Sequence, residues 1–294
     1  MARIKANGID VEYETFGAKN DPALLLIMGL GAQLTLWPES LCEGLASRGF
    51  FVVRYDNRDV GLSTDFSKAG IPNLMEAFAR LMKGEKVDAP YLLKDMAADA
   101  TGLLDALGLD RAHMVGASMG GMIAQILAAT YPQRTRSMVS IMSTSGRPGL
   151  PMGKPEAVAM LSAQPPGNAR EQLIAHAIKL RNVIGSPGFP ADPAELRTLV
   201  ERNIDRRWYP EGAARQYLAV MASGPRVDLL KTVKVPTLVL HGEDDPLLPV
   251  ECGRDVASLV PGAKVETWPG WGHDLPSQMV PRLVESISKF CKTA

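Results

Sequence analysis

A serine flanked by glycines is the strongest chemical signal in the sequence. The segment Gly116–Gly121 reads GASMGG and matches the pattern G-x-S-x-G, with a predicted strand before it and a predicted helix after it. Such a sharp reversal strains the backbone of the central residue, and only glycines are small enough to let the turn close. We therefore predict that Ser118 is exposed as a nucleophile. The alternative is a Gly-rich turn without chemistry.

A serine hydroxyl is a weak nucleophile and needs a general base within hydrogen-bond reach. Of the four histidines, His113 lies inside a predicted strand and His241 ends another, which favours structural roles, and His176 has no motif around it. His273 lies in a Gly-rich loop between the last predicted strand and the last predicted helix, from which it can reach the sheet edge. His273 is therefore the predicted base, and a surface-loop histidine is the alternative.

A carboxylate must accept the second imidazole proton, fix the tautomer and stabilise the imidazolium that forms during attack. Three consecutive acids, residues 243–245, follow the penultimate predicted strand. We assign this role to Asp245, which directly precedes a proline, and keep Asp244 as the second candidate. A solvated acidic turn is the alternative without chemistry. The chain order Ser118, Asp245, His273 is one of the orders known for such a trio.

Attack on a carbonyl also requires N–H donors for the oxyanion, each typically worth about 3 kcal/mol in the transition state. The backbone N–H of Met119, directly after the nucleophile, is the first predicted donor. The second is the N–H of Leu30, in the glycine-rich turn Met28–Gly31 that follows an apolar run. Glycines chosen only for a tight turn would give the same sequence there.

Apolar runs alternate with helical patterns along the chain, which predicts an α/β fold with a mostly parallel twisted sheet flanked by helices. The predicted strands cover residues 11–15 at an edge, 23–28, 51–55, 112–116, 137–142, 237–241 and 264–268. The predicted helices cover residues 38–48, 94–107, 122–131, 250–260 and about 278–292. All the candidate residues then lie at the carboxyl edge of the sheet, where open α/β sheets bind ligands.

Between residues 145 and 231 this alternation stops. The segment is rich in proline and glycine and has helical patches around residues 171–181 and 193–202. We predict a helical cap, inserted before the penultimate strand and lying over the carboxyl edge. The expected division is a hydrolase-type core, residues 1–144 and 232–294, with the cap at 145–231.

Composition excludes several other classes of protein. The 294 residues include 32 Lys plus Arg and 32 Asp plus Glu, so no net charge attracts nucleic acid or an anionic membrane. No apolar run is long enough for a membrane span or a signal peptide. The three cysteines are far apart and lack the spacing of zinc ligands, which favours buried thiols in a reducing compartment. We expect a soluble cytoplasmic protein without metal or cofactor, and the sequence leaves a homo-oligomer open.

The loop Asp56–Ser63, DNRDVGLS, has two further interpretations. Asp56 and Asp59 suggest a divalent metal, but we favour a structural loop in which Arg58 pairs with a carboxylate and Gly61 closes the turn. Elsewhere, the fourteen methionines, Trp37 and Trp271 could line an apolar pocket near the site, although ordinary core packing accounts for most of them.

Taken together, these segments resemble the α/β-hydrolase superfamily over nearly the whole chain, and within it bacterial carboxylesterases of the aclacinomycin methylesterase type. The resemblance implies Ser118 as nucleophile, Asp245 as acid, His273 as base and the amides of Leu30 and Met119 as oxyanion hole. It also implies a helical cap. Met28 is a departure, because many relatives have histidine before the glycine there. The matching segments are Leu24–Gly31, Trp37-Pro38, Arg54–Ser63, Gly116–Gly121, Leu238–Pro246 and Gly270–His273.

The expected function is a cofactor-free carboxylic ester hydrolase that works through an acyl-serine intermediate on a small, hydrophobic ester. A serine in the turn between the predicted strand and helix, at position 118, argues against the dehalogenases and epoxide hydrolases of the superfamily, which carry aspartate there. Lactonase, carbon–carbon bond hydrolase and perhydrolase activities use the same residues and stay open. A ligand receptor with this fold and little turnover is the alternative from another class.

Overall fold

Eight strands form one sheet in the order β1-β2-β4-β3-β5-β6-β7-β8, in a computed structural model that describes residues 1–294. β1 and β2 pair antiparallel, as do β2 and β4. All the remaining neighbouring strands in this order, from β4 to β8, pair parallel. This confirms the predicted α/β class and the mostly parallel sheet. The strands are β1 Ala2–Ala6, β2 Ile9–Phe16, β3 Ala23–Ile27, β4 Phe51–Tyr55, β5 Ala112–Ala117, β6 Thr135–Ile141, β7 Thr237–Gly242 and β8 Lys264–Trp268.

Eleven α-helices surround the sheet. Their bounds are α1 Glu39–Ser47, α2 Leu74–Met82, α3 Leu93–Leu107, α4 Met119–Thr130, α5 Pro155–Met160, α6 Arg170–Ile184, α7 Pro193–Arg206, α8 Pro210–Ser223, α9 Val227–Leu230, α10 Val250–Leu259 and α11 Val280–Lys292. None of these helices has both the length and the apolar character required to span a bilayer.

The central strands are apolar throughout because both of their faces are covered. In β3, Leu25 and Ile27 belong to one core cluster together with residues of α3, α4 and α10. Leu24 and Leu26 point the other way, into a second cluster built with α1 and α11. All four leucine and isoleucine side chains are fully buried. This packing explains the continuous apolar run, which is typical of a strand in a parallel sheet.

The amino-terminal edge differs from the prediction. Residues 11–15 belong to β2, which is not an edge strand, because β1 pairs outside it as an antiparallel hairpin. Asn7 and Gly8 form the two-residue turn, with φ of 50° and 79°. Asn-Gly is the sequence most typical of such a turn, since both central residues need positive φ. The dipeptide was therefore the signal for β1.

The helices α5–α9 all lie in the segment between β6 and β7, residues 142–236, which we call the inserted segment. The helices that were predicted in the core are present with ends within about three residues of the expected ones. α2 was not predicted. It carries an unusual outward stripe, in which Met75, Phe78 and Met82 are largely exposed.

Candidate active site

The turn between β5 and α4 holds Ser118 in a conformation that few non-glycine residues adopt. Its φ is +56° and its ψ is −119°, which is the strained backbone that the motif predicts. Residues 112–117 are buried, whereas Ser118 is partly exposed. The Ser118 N–H donates to the Ile141 carbonyl at 2.9 Å, and its own carbonyl accepts from Ser143 Oγ at 2.8 Å.

The glycines around Ser118 are required by close contacts. A Cβ at Gly116 would lie 2.1 Å from the Gly120 carbonyl oxygen, and a Cβ at Gly120 would lie 1.9 Å from the Ile27 carbonyl oxygen. A Cβ at Gly121 would lie 2.6 Å from the Ser143 Cβ. The turn therefore packs directly against the end of β3 and against the loop after β6, and any side chain would force the strands apart.

Three of the predicted side chains meet at the carboxyl edge of the sheet. His273 Nε2 lies 3.0 Å from Ser118 Oγ, and His273 Nδ1 lies 2.7 Å from Asp245 Oδ2. An ionised carboxylate can only accept, so Nδ1 carries the proton and Nε2 is free to accept from the serine hydroxyl. His273 is 7% exposed and Asp245 is 6% exposed. The hydrogen bonds are therefore largely shielded from water.

Asp245 is held as a carboxylate by its surroundings. Its Oδ1 accepts the N–H groups of Leu247 and Leu248, each at 2.9 Å. Burial alone would raise the pKa of Asp245, but electrostatic attraction to His273 and hydrogen bonds from His241 and His273 outweigh burial and keep that pKa below its ordinary value. Asp244 does not contact His273. It is exposed, and its Oδ2 accepts the N–H of Gly270 at 2.6 Å.

His241 touches the same carboxylate, which the sequence did not suggest. Its Nε2 donates to the Leu248 carbonyl at 2.7 Å and lies 3.4 Å from Asp245 Oδ2. Since a carbonyl only accepts, the Nε2 atom carries the proton, and the buried Nδ1 atom is left without a partner. A Cβ at Gly253 would lie 2.3 Å from that Nδ1, so α10 closes over the ring. His241 thus holds the loop that carries Asp245.

The two predicted oxyanion donors occupy neighbouring turns. Met119 is the first residue of α4, so its N–H has no acceptor within the helix. In the turn after β3, the Gly31 N–H donates to Gln216 Oε1 at 2.7 Å and the Ala32 N–H donates to the Gly29 carbonyl. The Leu30 N–H has no acceptor. A Cβ at Gly29 would lie 3.1 Å from Ser118 Cβ, so this turn lies beside the serine.

The loop Asp56–Ser63 binds arginines. Arg58 pairs with Asp99 through two hydrogen bonds of 2.6 and 2.7 Å, which confirms its expected carboxylate partner. Asp56 pairs with Arg206 at 2.7 Å and Asp59 with Arg215 at 2.8 Å. Both of these arginines belong to the inserted segment, so the two aspartates that suggested a metal serve to attach α7 and α8 to the core.

Gly61 has a positive φ of 56°, and a Cβ there would lie 2.1 Å from Asp56 Oδ2, so the turn closes against that carboxylate. Nowhere in the molecule do three or more His, Cys, Asp or Glu side chains form a group suited to a metal ion.

The remaining candidate residues lie away from the serine or in the core. His113 contacts Ser137 Oγ at 2.8 Å, and burial lowers its pKa to about 4. His176 is in α6. Trp37 and Trp271 are both fully buried in the cluster beneath α1 and α11, where Trp271 stacks on Trp268, so they are core residues and not pocket walls.

A cavity of about 1200 Å³ lies between the inserted segment and the core, and Ser118 does not line it. Its walls present both polar and apolar surface and come from α6, α7 and the loops around residues 35–38 and 274–278. Asp274 lines this cavity, whereas His273 does not.

Comparison with known proteins gives a consistent result. Residues 22–277 match the model of the family described as the alpha/beta hydrolase fold. Rhodomycin D methylesterase DnrP of Streptomyces peucetius is 27% identical over 96% of this chain and 94% of that protein. The bifunctional esterase/perhydrolase DCH of Acinetobacter calcoaceticus is 25% identical over 98% of each chain.

Among solved structures, the enol-lactonase from Burkholderia xenovorans superposes with a TM-score of 0.73, at 23% identity, over 99% of this chain and all of that one. At this level of identity the superposition shows a shared fold.

Proposed function

This chain belongs to the alpha/beta hydrolase fold family, as its motifs indicated, and from that premise we propose that it is a serine hydrolase of carboxylic esters. The proposal depends on one observation above all: the hydrogen-bonded chain from Ser118 Oγ through His273 to Asp245, with distances of 3.0 and 2.7 Å. A nucleophile, a base and an orienting acid in this order are what acyl transfer requires.

Each side chain then has a defined part in the reaction. Ser118 Oγ attacks the ester carbonyl while His273 Nε2 takes its proton, and the imidazolium is stabilised by the Asp245 carboxylate. His273 returns that proton to the alkoxide oxygen of the leaving alcohol, which leaves an acyl-serine. A water molecule, deprotonated by the same nitrogen, attacks the acyl carbon and releases the acid with a free serine hydroxyl.

We assign the oxyanion hole to the N–H groups of Met119 and Leu30. Both amides lack an acceptor in the folded chain, and both turns are fixed by glycine contacts at Ser118. A donor that is already oriented needs no reorganisation as charge develops on the carbonyl oxygen. Methionine at position 28, where many relatives have histidine, leaves this backbone arrangement in place, because the Met28 carbonyl accepts from Asn57 Nδ2 at 3.0 Å.

The proposed substrate is a small or medium-sized hydrophobic ester. Support comes from DnrP and DCH, which are named for ester cleavage. We also propose that residues 145–231 act as a cap over the core formed by 1–144 and 232–294. The buried ion pairs of Arg206 and Arg215 with the core loop support that arrangement.

Other reactions of the same residues remain candidates. DCH is named for perhydrolase as well as esterase activity, and a lactone is an intramolecular ester. A receptor with this fold would bind a ligand without turnover. Nothing in the hydrogen-bonded chain favours a receptor, because a binding site has no use for a base aimed at a strained serine.

The direct test is hydrolysis of p-nitrophenyl acetate and butyrate by the wild type, by Ser118→Ala and by Ser162→Ala, which alters an exposed serine of the inserted segment. We expect S118A to lose at least about 10⁴-fold in kcat and S162A to match the wild type. A fluorophosphonate should label the wild type at residue 118. Wild-type protein that neither hydrolyses any acyl ester nor takes the label would overturn the proposal in favour of the receptor.

A further inference from the structure

The loop that carries His273 is held on one side by the inserted segment. Three backbone N–H groups make this contact: His273 donates to the Ile184 carbonyl at 2.7 Å, Gly188 donates to the Gly270 carbonyl at 2.9 Å, and Gly272 donates to Ser186 Oγ at 2.9 Å. We call this set, Ile184–Gly188 against Gly270–Asp274, the histidine-loop contact.

Ser186 is the one side chain of the inserted segment at the centre of this contact. Its hydroxyl accepts from Gly272 and donates to Asp274 Oδ1, so it bonds to the residues on both sides of His273. It is 4% exposed. A buried hydroxyl with both its donor and its acceptor satisfied restricts its partners strongly, because loss of either bond leaves an unpaired buried group.

Glycine contacts make the same interface very close. A Cβ at Gly272 would lie 2.4 Å from the Gly185 carbonyl oxygen, and a Cβ at Gly188 would lie 2.7 Å from the Gly270 Cα. The two backbones therefore touch with no side chain between them. A shift of the end of α6 must carry the histidine loop with it.

The other side of the loop is held by the core. Trp271 Nε1 donates to the Asp274 carbonyl at 2.7 Å and its ring is buried on Trp268, while the Gly270 N–H donates to Asp244 Oδ2. These bonds fix Gly270, Trp271 and the Asp274 backbone. They do not reach the amides of Gly272 and His273, whose only partners are in the inserted segment.

We propose that Ser186 is a positioning residue for His273, so that the base is correctly placed only while the inserted segment is docked. This inference rests on the proposed function. Reactions of this kind need the nitrogen and the serine oxygen within hydrogen-bond reach, and a misplacement of about 1 Å can cost on the order of 100-fold in rate. Ser186 does not touch the reacting atoms; it acts through Gly272 and Asp274.

The test compares Ser186→Ala with Ser223→Ala. Ser223 is a matched control, because it is also a serine of the inserted segment whose hydroxyl accepts a core N–H, that of Leu93 at 3.0 Å. Leu93 begins α3 and is not part of the histidine-loop contact. We expect S186A to lower kcat on p-nitrophenyl butyrate about 10- to 100-fold with KM changed less than about threefold. S223A should keep the wild-type kcat.

Two further variants protect the test against a folding defect. Ser186→Thr retains a hydroxyl and should restore most of kcat, whereas Ser186→Cys retains the approximate volume with a much weaker donor and should behave like S186A. Equal kcat for S186A, S186C and S223A would overturn the inference.

A spectroscopic measurement separates this inference from the proposed function. The low-field proton NMR signal of the His273 Nδ1–H, assigned by its loss in Asp245→Asn, reports the bond to Asp245 without any turnover. S186A should shift or broaden this signal and S223A should not. A wild type that hydrolyses no ester but shows this difference would refute the proposed function and support the positioning role. An unchanged signal in S186A would refute the positioning role.

Discussion

The nucleophile and the base of this protein are positioned by different kinds of structure. Ser118 is fixed by glycine contacts, because its turn packs against the carbonyl group at the end of β3 and against Ser143, which lies two residues after β6. His273 lies on a loop whose central amides bond to Ile184 and Ser186 in the inserted segment. The nucleophile thus depends on short backbone contacts between neighbouring strands, and the base depends on contacts across nearly ninety residues of chain.

Ser118 and His273 should respond differently to a movement of the inserted segment. A change in how the inserted segment sits should leave the strained turn at Ser118 intact, because that turn is part of the sheet. The same change should move the imidazole through the histidine-loop contact. We therefore expect a displaced inserted segment to leave the nucleophile formed and the base misplaced.

The largest expected effect concerns the acid that orients the base. Asp245→Asn removes the negative charge next to Nδ1 and favours the wrong tautomer, so we expect kcat to fall by about 10⁴-fold with little change in KM. Asp244→Asn is the matched control, since its side chain can still accept from the Gly270 N–H and the reacting atoms are unaffected. We expect less than about a threefold change there. Steady-state kinetics on p-nitrophenyl butyrate decides between them, and equal losses would contradict the assignment of Asp245.

A pair of glycine substitutions tests whether the turn at Ser118 and the loop that carries His273 differ in this way. Gly120→Ala would place its Cβ 1.9 Å from a β3 carbonyl that cannot move, so we expect at least about 3 kcal/mol of destabilisation together with loss of activity. Gly272→Ala meets the Gly185 carbonyl of the inserted segment at 2.4 Å. That segment can shift, so we expect a loss of about 1 kcal/mol in stability but about 100-fold in kcat.

Thermal unfolding and kcat, measured on the same preparations, separate the two glycine variants. Gly44→Ala is the control, because its Cβ would meet only the side chain of Val284, at 2.7 Å, between α1 and α11. It should leave kcat unchanged. If G272A destabilised the fold as much as G120A, the histidine loop would be as integral to the core as the turn at Ser118, and the contrast between the two regions would be wrong.

The sequence predicted the parts of the site that local chemistry determines. The strained serine turn could be recognised because its serine and its glycines all lie in one short stretch, Gly116–Gly121. The buried strands could be recognised because both of their faces are covered. The histidine and aspartate were identified by their places after strands β8 and β7. The choice between Asp244 and Asp245 depended on motif spacing alone, and the backbone bonds of the loop after β7 determine which of the two side chains faces His273.

Other features depend on partners that no local pattern identifies. Asp56 and Asp59 left a metal site open beside the favoured structural loop, because their partners, Arg206 and Arg215, lie about 150 residues away in a segment with no recognisable motif. Ser186 gave no signal for the same reason. The hairpin of β1 and β2 is different, since Asn7-Gly8 was a sufficient local signal and was overlooked.

The smallest expected effect tests the attachment of the inserted segment far from the base. Arg207 pairs with Asp65 at 2.8 Å, and hydrogen bonds from Arg207 and Ser67 lower the pKa of Asp65 to about 2. In an unfolded chain an aspartate titrates near 3.9. In the folded state Asp65 therefore stays ionised at pH values at which it binds a proton in the unfolded state. The pair with Arg207 stabilises the folded state fully above about pH 4, and this contribution is lost as the pH falls through about 2.

Both partners are about one-third exposed, with side-chain accessibilities of 33% for Asp65 and 27% for Arg207, so screening limits the contribution to about 0.5 kcal/mol. Asp65→Asn should lower the melting temperature by about 1–2 °C at pH 7, and this difference from the wild type should shrink below pH 4. Asp10→Asn, which breaks the more exposed pair with Lys5, is the control and should lower the melting temperature less. We expect kcat to be the same in all three proteins, because this attachment does not reach the histidine loop. A loss of kcat in D65N would mean that the inserted segment transmits its position to His273 from either end, and Ser186 would then be one of several residues that place the base.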